Sequence, residues 1–463
     1  MTARHRPPLL VEGERAARDI GRMNGRAGVR TIRPVDPLIT EFNATHAVVL
    51  VGGEPAVLCE EAGRDGRPTV RLLSVRAFRE WLRPRRADVD RWLASRDRRE
   101  YPRGVVFEPD AEIAGAFNLW RGFAVEPDPA PHPEERCARF LEHLYENICQ
   151  SDERLFEWVV GWLAQIVQSP RTKLGTSLFL RGKQGTGKTK VGEAMRRLLG
   201  RHYMLVSDPR YVVGRFNAHL ESLLLLHADE AFFAGDPTAV GRLKDLVTGH
   251  EQVVERKGRE PVVVSNYVRL LGTADSVWVV PANERERRFA VIDVGDAHER
   301  DFPYFAAIDR ELDAGGASAL LAYLLAYDLS ALQLRQIPET PALIDQKVRS
   351  LAPEAAWWLD VLKRGELPAS RFRDGRTCEV SRLVDDYIEH AQRRGTPRRA
   401  SEVVLGGFLS KQVPGVERVR RTAPDGTRPW AYVFPSLAEC RQTAPATFRG
   451  WNDPAADWKP ADG

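Results

Sequence analysis

Apolar residues in the first third of the chain fall into short runs separated by turn residues, which is the pattern of a small sheet. Helical spacing follows the third run over residues 75–82, and the proline-rich stretch 127–133 predicts a linker. Beyond the linker, apolar residues recur at helical spacing as far as Ile166. We therefore expect a small α+β accessory domain over residues 1–129 and a helical collar over 130–170. The strand-like runs are 47–51, 56–58 and 69–73.

Continuous apolar runs mark the middle of the chain. Unbroken runs of this kind are typical of strands that are buried on both faces of a parallel sheet. They predict an α/β core over residues 171–330, and helical patterns indicate a connector over 331–366. The runs are 176–180, 222–226, 267–273 and 290–294.

The C-terminal part of the chain shows two amphipathic segments and then a hairpin pattern. The segments 381–393 and 401–412 each begin at a serine that can cap a helix, and the hairpin covers 416–434. Two helices followed by a basic hairpin are typical of a winged helix, which we predict over residues 367–440. Residues 441–463 are expected to form a tail.

Charge is spread unevenly along the 463 residues, whose net charge is only +4. The window from Lys363 to Arg428 holds fifteen Lys and Arg against nine Asp and Glu, so it has a charge of +6 and the remainder −2. This balance indicates a basic C-terminal module, with solvated surface charge as the alternative. The candidate nucleic-acid contacts are Arg398, Arg399, Arg420 and Arg421, and docking of another protein is the other interpretation.

The five cysteines are scattered and show no CxxC spacing, which indicates neither a disulfide framework nor a zinc site. Their usage is typical of reduced thiols in a cytosolic protein, so we expect a cytoplasmic location. The longest apolar stretches are too short to cross a bilayer, and no membrane partner is expected.

The chemistry-bearing stretch is Gly-Lys-Gln-Gly-Thr-Gly-Lys-Thr at 182–189, a complete Walker A motif between an apolar run and a helical pattern. Glycines allow the backbone to approach a triphosphate closely, and the helix N-terminus that follows favours anions. Lys188 is expected to reach the β- and γ-phosphates, and the Thr189 hydroxyl to bind Mg²⁺. The residues expected to bind ATP are Gly182, Gln184, Gly185, Thr186, Gly187, Lys188 and Thr189.

An acidic pair follows the leucine-rich run at 222–226, in the position of a Walker B motif. We expect Asp229 to hold Mg²⁺ and Glu230 to orient and deprotonate the attacking water. The alternative is that the pair simply begins a surface loop. A pair that ends in glutamate favours hydrolysis over a small-molecule kinase.

Two further basic segments follow. β-type arms over 253–264 flank a turn with the cations Arg256, Lys257 and Arg259, a hairpin pattern. A second segment, Glu-Arg-Glu-Arg-Arg-Phe at 284–289, precedes the last apolar run of the core. Its arginines are Arg285, Arg287 and Arg288.

The order of these motifs resembles the superfamily 3 helicases, and most closely the phage and plasmid primase-helicase type, whose C-terminal halves resemble the poxvirus primase-helicase. The resemblance covers residues 171–294, and more loosely 118–122 and 435–441. It implies an AAA+-like P-loop core, a homo-oligomeric ring of six subunits, and a hairpin that follows DNA in the channel. Arg256, Lys257 and Arg259 would then contact DNA phosphates, and Arg287 or Arg288 would reach the neighbouring subunit's γ-phosphate as an arginine finger.

One position departs from that family. Its sensor strand usually ends in asparagine, and the matching residue here is Asp275, after Thr273 and Ala274. A further carboxylate near Glu230 and a triphosphate is repulsive unless it is protonated or metal-bound. This difference argues against a sensor function at this position and against fast turnover.

We therefore expect an ATP- and Mg²⁺-dependent helicase or translocase of phage, prophage or plasmid DNA replication, acting on single-stranded or forked DNA. Two alternatives stay open: a nucleotide-gated origin-binding or loading factor, and a slow structural ATPase ring. No acidic primase triad stands out in residues 1–130, so we expect primase activity to be absent from this chain or supplied by another protein.

Overall fold

The computed structural model describes residues 36–62, 68–230, 237–255, 260–275, 279–394, 401–444, 448 and 456–459. The chain divides into two units between Arg103 and Gly104.

In its described residues the N-terminal unit has a four-stranded sheet and three helices; the short apolar runs predicted the first three strands, and the helical spacing at 75–82 predicted one of the helices. The strands lie in the order β3-β2-β1-β4, and Gly52 and Gly53 form the tight β1–β2 turn with φ of +61° and +82°, which suits a two-residue hairpin. The first helix was not expected, although Asp36 caps it and proline occupies its first position. The elements are α1 (Pro37–Thr45), β1 (His46–Val51), β2 (Glu54–Ala62), β3 (Pro68–Ser74), α2 (Val75–Trp81), α3 (Arg86–Ala94) and β4 (Glu100–Tyr101).

The larger unit begins with a short parallel pair and the helices of the expected collar. Trp120 stacks on His202 with 4.8 Å between ring centroids, and Phe123 packs on Trp120, so both aromatic residues pack against the core. A π-helical turn at His143–Ile148 separates two of the helices. The elements are β5 (Val105–Val106), β6 (Phe117–Asn118), α4 (Ala138–Glu142) and α5 (Glu153–Gln168).

A parallel sheet of five strands lies at the centre of this unit, which confirms a mixed α/β fold with a parallel sheet. The strand order is β13-β7-β12-β9-β8, and helices pack on both faces over two apolar cores. Because all five strands run the same way, the loops after β7, β9 and β12 meet at one edge. The elements are β7 (Ser177–Arg181), α6 (Lys188–Leu199), β8 (Tyr203–Val206), α7 (Arg210–Val213), β9 (Leu225–Asp229), α8 (Pro237–Thr248), β10 (Glu251–Val254), β11 (Val262–Ser265), β12 (Arg269–Ala274), β13 (Phe289–Asp293), α9 (Phe302–Glu311) and α10 (Ala317–Ala326).

A buried arginine ties the collar to the sheet. Arg269, the first residue of β12, donates to the carbonyl oxygens of Ser169 (2.9 Å), Thr172 (2.7 Å) and Tyr267 (2.7 Å). Ser169 and Thr172 lie just past the C-terminal end of α5, where a cation is favoured. Burial lowers the pKa of Arg269 to about 9.

The C-terminal module combines a three-stranded antiparallel sheet, in the order β14-β16-β15, with a group of helices. Its core contains Trp357, Trp358, Tyr387 and Phe434. The helices at 380–393 and 402–412 and the hairpin match the sequence pattern, whereas β14 was not expected. Helix α11 (Pro341–Arg349) precedes the module and packs on the parallel sheet. The elements of the module are α12 (Pro353–Arg364), β14 (Thr377–Glu379), α13 (Val380–Arg393), α14 (Glu402–Gln412), β15 (Glu417–Arg420), β16 (Trp430–Val433) and α15 (Leu437–Gln442).

All five cysteines are buried free thiols. Within the described ranges, no helix is both long and apolar enough to span a membrane.

Candidate functional site

The loop between β7 and α6 holds the residues of the glycine-rich motif. Gly185 and Gly187 have φ of +83° and +82°, a region that side chains other than glycine rarely adopt. A Cβ on Gly187 would lie 2.4 Å from the Phe305 ring, so space as well as conformation requires glycine. Helix α6 begins at Lys188, so its free N–H groups face this loop.

Lys188 folds back into the loop. Its Nζ atom donates to the carbonyl oxygens of Gly182 (2.7 Å) and Lys183 (2.6 Å), and the side chain is buried. Burial lowers the pKa of Lys188, while the charges of Glu230, Asp275 and Asp229 act to raise it. Residues from three separate strand ends therefore share one electrostatic environment.

The π-helical turn holds the loop from the collar side, and no sequence pattern pointed to this. Asn147 donates from Nδ2 to the carbonyl oxygen of Thr186 (2.7 Å), and His143 Nε2 lies 3.1 Å from that of Gly187. Burial lowers the pKa of His143 to about 4, so the ring is neutral at physiological pH. π-Helical turns often occur at functional sites.

The acidic residues occupy the same edge of the sheet. Asp229 ends β9 and accepts a hydrogen bond from the Thr273 hydroxyl on β12 (2.5 Å). Glu230 has φ of +54°, and its backbone N–H donates to the Thr273 carbonyl oxygen (2.8 Å). The Asp275 backbone N–H donates to Glu230 Oε2 (3.3 Å). The pKa of Glu230 is raised, first by burial and second by the Asp275 side chain.

A cavity of about 310 Å³ adjoins the glycine-rich loop. Arg300, which has φ of +60°, donates its backbone N–H to the Gly185 carbonyl oxygen (2.9 Å). Phe302, at the start of α9, is 76% exposed beside this cavity. The lining includes Gln184, Gly185, Thr189, Arg300, Phe302 and Phe305.

The two finger candidates differ in their surroundings. The buried Glu286 carboxylate accepts the backbone N–H groups of Arg287 (3.0 Å) and Arg288 (2.9 Å). The Arg288 guanidinium lies 3.7 Å from the same carboxylate, whereas the Arg287 side chain is exposed. Of the two, Arg287 is the one that faces solvent.

The expected DNA contacts are distributed between two hairpins. Strands β10 and β11 pair antiparallel, with Val254 opposite Val262, as predicted for the first hairpin. Its tip residues Arg256, Lys257 and Arg259 lie outside the described residues.

The second hairpin is formed by β15 and β16. The Arg420 guanidinium lies 5.3 Å and that of Arg418 5.1 Å from the ring centroid of Trp430, which is 46% exposed. Arg421 instead donates to Asp374 (2.8 Å) and Thr377 (2.6 Å), so its charge is engaged inside the module. Arg398 and Arg399 lie outside the described residues.

Residues 180–288 match the model of a family of unknown function, DUF5906. The chain is 23% identical over 164 residues to the DNA primase-polymerase of Nitratiruptor phage NrS-1, and 28% identical over 145 residues to shikimate kinase 1, chloroplastic, of Arabidopsis thaliana. These matches span 23% and 46% of the relatives' own lengths and 35% and 29% of this chain.

Solved structures give a longer match. An apo structure of the NrS-1 C-terminal region aligns with a TM-score of 0.57 at 16% identity over 84% of this chain and 96% of that chain. The A form apo structure of the same region aligns with a TM-score of 0.59, with the same identity and coverage. The chain therefore shares its fold with the NrS-1 C-terminal region.

Proposed function

We propose that this chain binds ATP with Mg²⁺ and hydrolyses it as a ring-forming DNA helicase or translocase of superfamily 3 type in phage, prophage or plasmid DNA replication. The observation that supports this most strongly is the convergence of Lys188 with Asp229, Glu230 and Asp275 at one edge of a parallel sheet. A basic side chain at a helix N-terminus beside carboxylates is the arrangement that phosphoryl transfer to water requires.

The residues at this edge fit a nucleotide and its metal ion. The carbonyl partners of Lys188 are neutral acceptors that phosphate oxygens can replace, and the Thr189 hydroxyl and the Asp229 carboxylate would hold Mg²⁺. Bound Mg²⁺ would offset charge on the phosphates. Mg²⁺ suits these two protein oxygens because it keeps several water and phosphate ligands when it is bound.

The other groups have separate roles in this proposal. Glu230 accepts a proton from the attacking water, and Arg287, which is exposed, enters the site of the adjacent subunit. The nucleoside would bind in the cavity beside Phe302 and Arg300, because an exposed aromatic ring and a guanidinium can both stack on a base.

The DNA side of the proposal depends on basic groups at two hairpins. Arg256, Lys257 and Arg259 would contact phosphates from the β10–β11 hairpin in a ring channel. The C-terminal module would act as a winged helix with Arg420 as its DNA contact, whereas Arg421, also expected from the sequence, is held by Asp374 and Thr377. The shared fold with the NrS-1 C-terminal region, and the phage primase-polymerase match, support a role in phage DNA replication.

A second candidate function is a slow ATPase switch that controls origin binding or loading without unwinding. The position of Asp275 beside Glu230 favours it, because a second carboxylate here repels the γ-phosphate and cannot donate the hydrogen bond that an asparagine amide would supply. Hydrolysis would then be stimulated by DNA but would not displace a strand.

The test is ATP hydrolysis with and without single-stranded DNA, together with strand displacement on a forked duplex. We expect Lys257→Ala to keep basal hydrolysis but lose DNA stimulation and displacement, because its charge is needed only when DNA is present. Lys363→Ala, which removes an exposed lysine of α12, is the matched control. DNA-stimulated hydrolysis without displacement would support the switch, and full stimulation of Lys257→Ala would contradict the hairpin assignment.

A further inference from the structure

A buried chain of hydrogen bonds crosses three neighbouring strands of the sheet and ends at Asp229. The hydroxyl of Tyr203 on β8 lies 2.7 Å from Nδ1 of His227 on β9. His227 Nε2 lies 2.8 Å from the Thr273 hydroxyl on β12, and that hydroxyl donates to Asp229 Oδ1 at 2.5 Å. The roles given above to the loop, the carboxylates and the arginines do not use Tyr203, His227 or the Thr273 side chain.

Only one arrangement of hydrogens satisfies this chain. An ionised carboxylate can only accept, so the Thr273 hydroxyl must give its hydrogen to Asp229. Thr273 then accepts from His227, which places the ring hydrogen on Nε2 and leaves Nδ1 to accept from Tyr203. Every donor in the chain points towards Asp229, so each bond strengthens the next.

The surroundings fix the chain in place. His227 and Thr273 are each 1% exposed, and Tyr203 is also buried. The imidazole lies against α6, where a Cβ on Gly192 would come within 2.1 Å of Nδ1. The glycine in the helix that follows the phosphate-binding loop therefore provides the space for this ring. Rotation of the buried Thr273 side chain would break both of its hydrogen bonds.

We propose that Thr273, held by His227 and Tyr203, is a positioning residue that fixes the Asp229 carboxylate, with Oδ1 engaged and the second oxygen left for Mg²⁺. This inference rests on the proposed ATP and Mg²⁺ site. Groups that orient a metal ligand in this way typically change metal affinity by about 10–100-fold when they are removed. The arrangement also explains why a threonine, a histidine and a tyrosine lie in an otherwise apolar part of the sheet.

The test is a Mg²⁺ titration of the full chain with a fluorescent, non-hydrolysable ATP analogue, which needs no turnover. We expect Thr273→Val to raise the Mg²⁺ concentration for half-maximal binding by about tenfold, because Asp229 loses its donor. Binding of the analogue in EDTA should be unchanged. Thr273→Ser keeps the hydroxyl and should restore the wild-type value, and Tyr203→Phe should give a smaller increase in the same direction.

A general loss of stability must be separated from loss of positioning. Thr176→Val removes another buried hydroxyl, which donates to the Leu334 carbonyl oxygen (3.3 Å), and it should leave the Mg²⁺ dependence unchanged. A wild-type Mg²⁺ dependence in Thr273→Val, or equal weakening with and without Mg²⁺, would overturn the positioning role alone. If the wild-type chain shows no Mg²⁺-dependent binding of the analogue, the proposed function fails and the positioning role fails with it.

Discussion

Charged side chains are arranged differently at the sheet edge and in the C-terminal module. The C-terminal window has the excess of positive charge, yet many of its arginines pair with acids inside the module. At the sheet edge a smaller number of charged groups is brought together from distant parts of the sequence. Placement, rather than net charge, distinguishes a site from a solvated surface. These ion pairs, all at the surface of the module, are Arg371–Asp425, Arg376–Asp457, Arg418–Glu402 and Arg421–Asp374.

The largest contrast should be in stability. Arg269→Met should lower the free energy of unfolding by about 3 kcal/mol, because several buried carbonyl groups would lose their donor. Arg421→Ala should cost less than about 1 kcal/mol, because its ion pair with Asp374 is at the surface. Chemical denaturation of the two variants measures both values. Equal losses would show that burial does not distinguish the hydrogen bonds of Arg269 from the ion pair of Arg421.

The next effect concerns the two carboxyl groups at the sheet edge. Asp275→Asn should raise hydrolysis near neutral pH by about tenfold, because it removes a negative charge that repels the γ-phosphate, and it should lower the pKa of Glu230 towards its usual range. The acid limb of the pH–rate profile should move to lower pH. Asp275→Ala is the control, because it removes the carboxyl without adding an amide. Faster hydrolysis in Asp275→Asn but not in Asp275→Ala would indicate that the amide acts as a sensor and that removal of the charge has little effect.

A smaller effect separates the arginines of the second hairpin. Arg420→Ala should weaken binding of single-stranded DNA by about threefold and reduce the slope of log affinity against log salt by about one. Arg421→Ala should leave that slope unchanged, because its guanidinium is held by Asp374 and Thr377. Fluorescence anisotropy at several salt concentrations makes the comparison. A larger change in this slope for Arg421→Ala than for Arg420→Ala would contradict the choice of Arg420 as the DNA contact.

The smallest effect is a pH-dependent gain in stability. A carboxyl group whose pKa is raised on folding binds its proton more tightly in the folded protein than in the unfolded chain. The folded state therefore becomes less stable as the pH rises through that pKa. Glu230→Gln should therefore melt at a higher temperature than the wild type at pH 8. The difference should shrink as the pH approaches the usual pKa of a glutamate. A constant difference across this range would show that Glu230 has an ordinary environment.

Strand patterns and local motifs were sufficient to predict much of the larger unit. The parallel sheet followed from unbroken apolar runs, and the loop at 182–189 followed from its spacing between a strand and a helix. The meeting of that loop with Asp229 and Asp275 also followed, because parallel strands end at one edge.

Features that depend on tertiary contact could not be predicted. His143 and Asn147 belong to a helical pattern in the sequence, and their contacts with the loop exist only because a π-helical turn faces it. Strand β14 has three residues, which are too few to show the alternation of apolar and polar residues that predicts a strand. The role of Thr273 depends on its register opposite Asp229, which a single sequence does not contain.

The proposed function requires Lys188 and the carboxylates at the sheet edge to form one site for hydrolysis of Mg²⁺-ATP. The most direct measurement compares ATP binding and steady-state hydrolysis in wild type, Lys188→Ala and Glu230→Gln. We predict that Glu230→Gln retains ATP binding and loses hydrolysis by at least about 100-fold, whereas Lys188→Ala loses both. Hydrolysis at the wild-type rate in either variant would contradict the account.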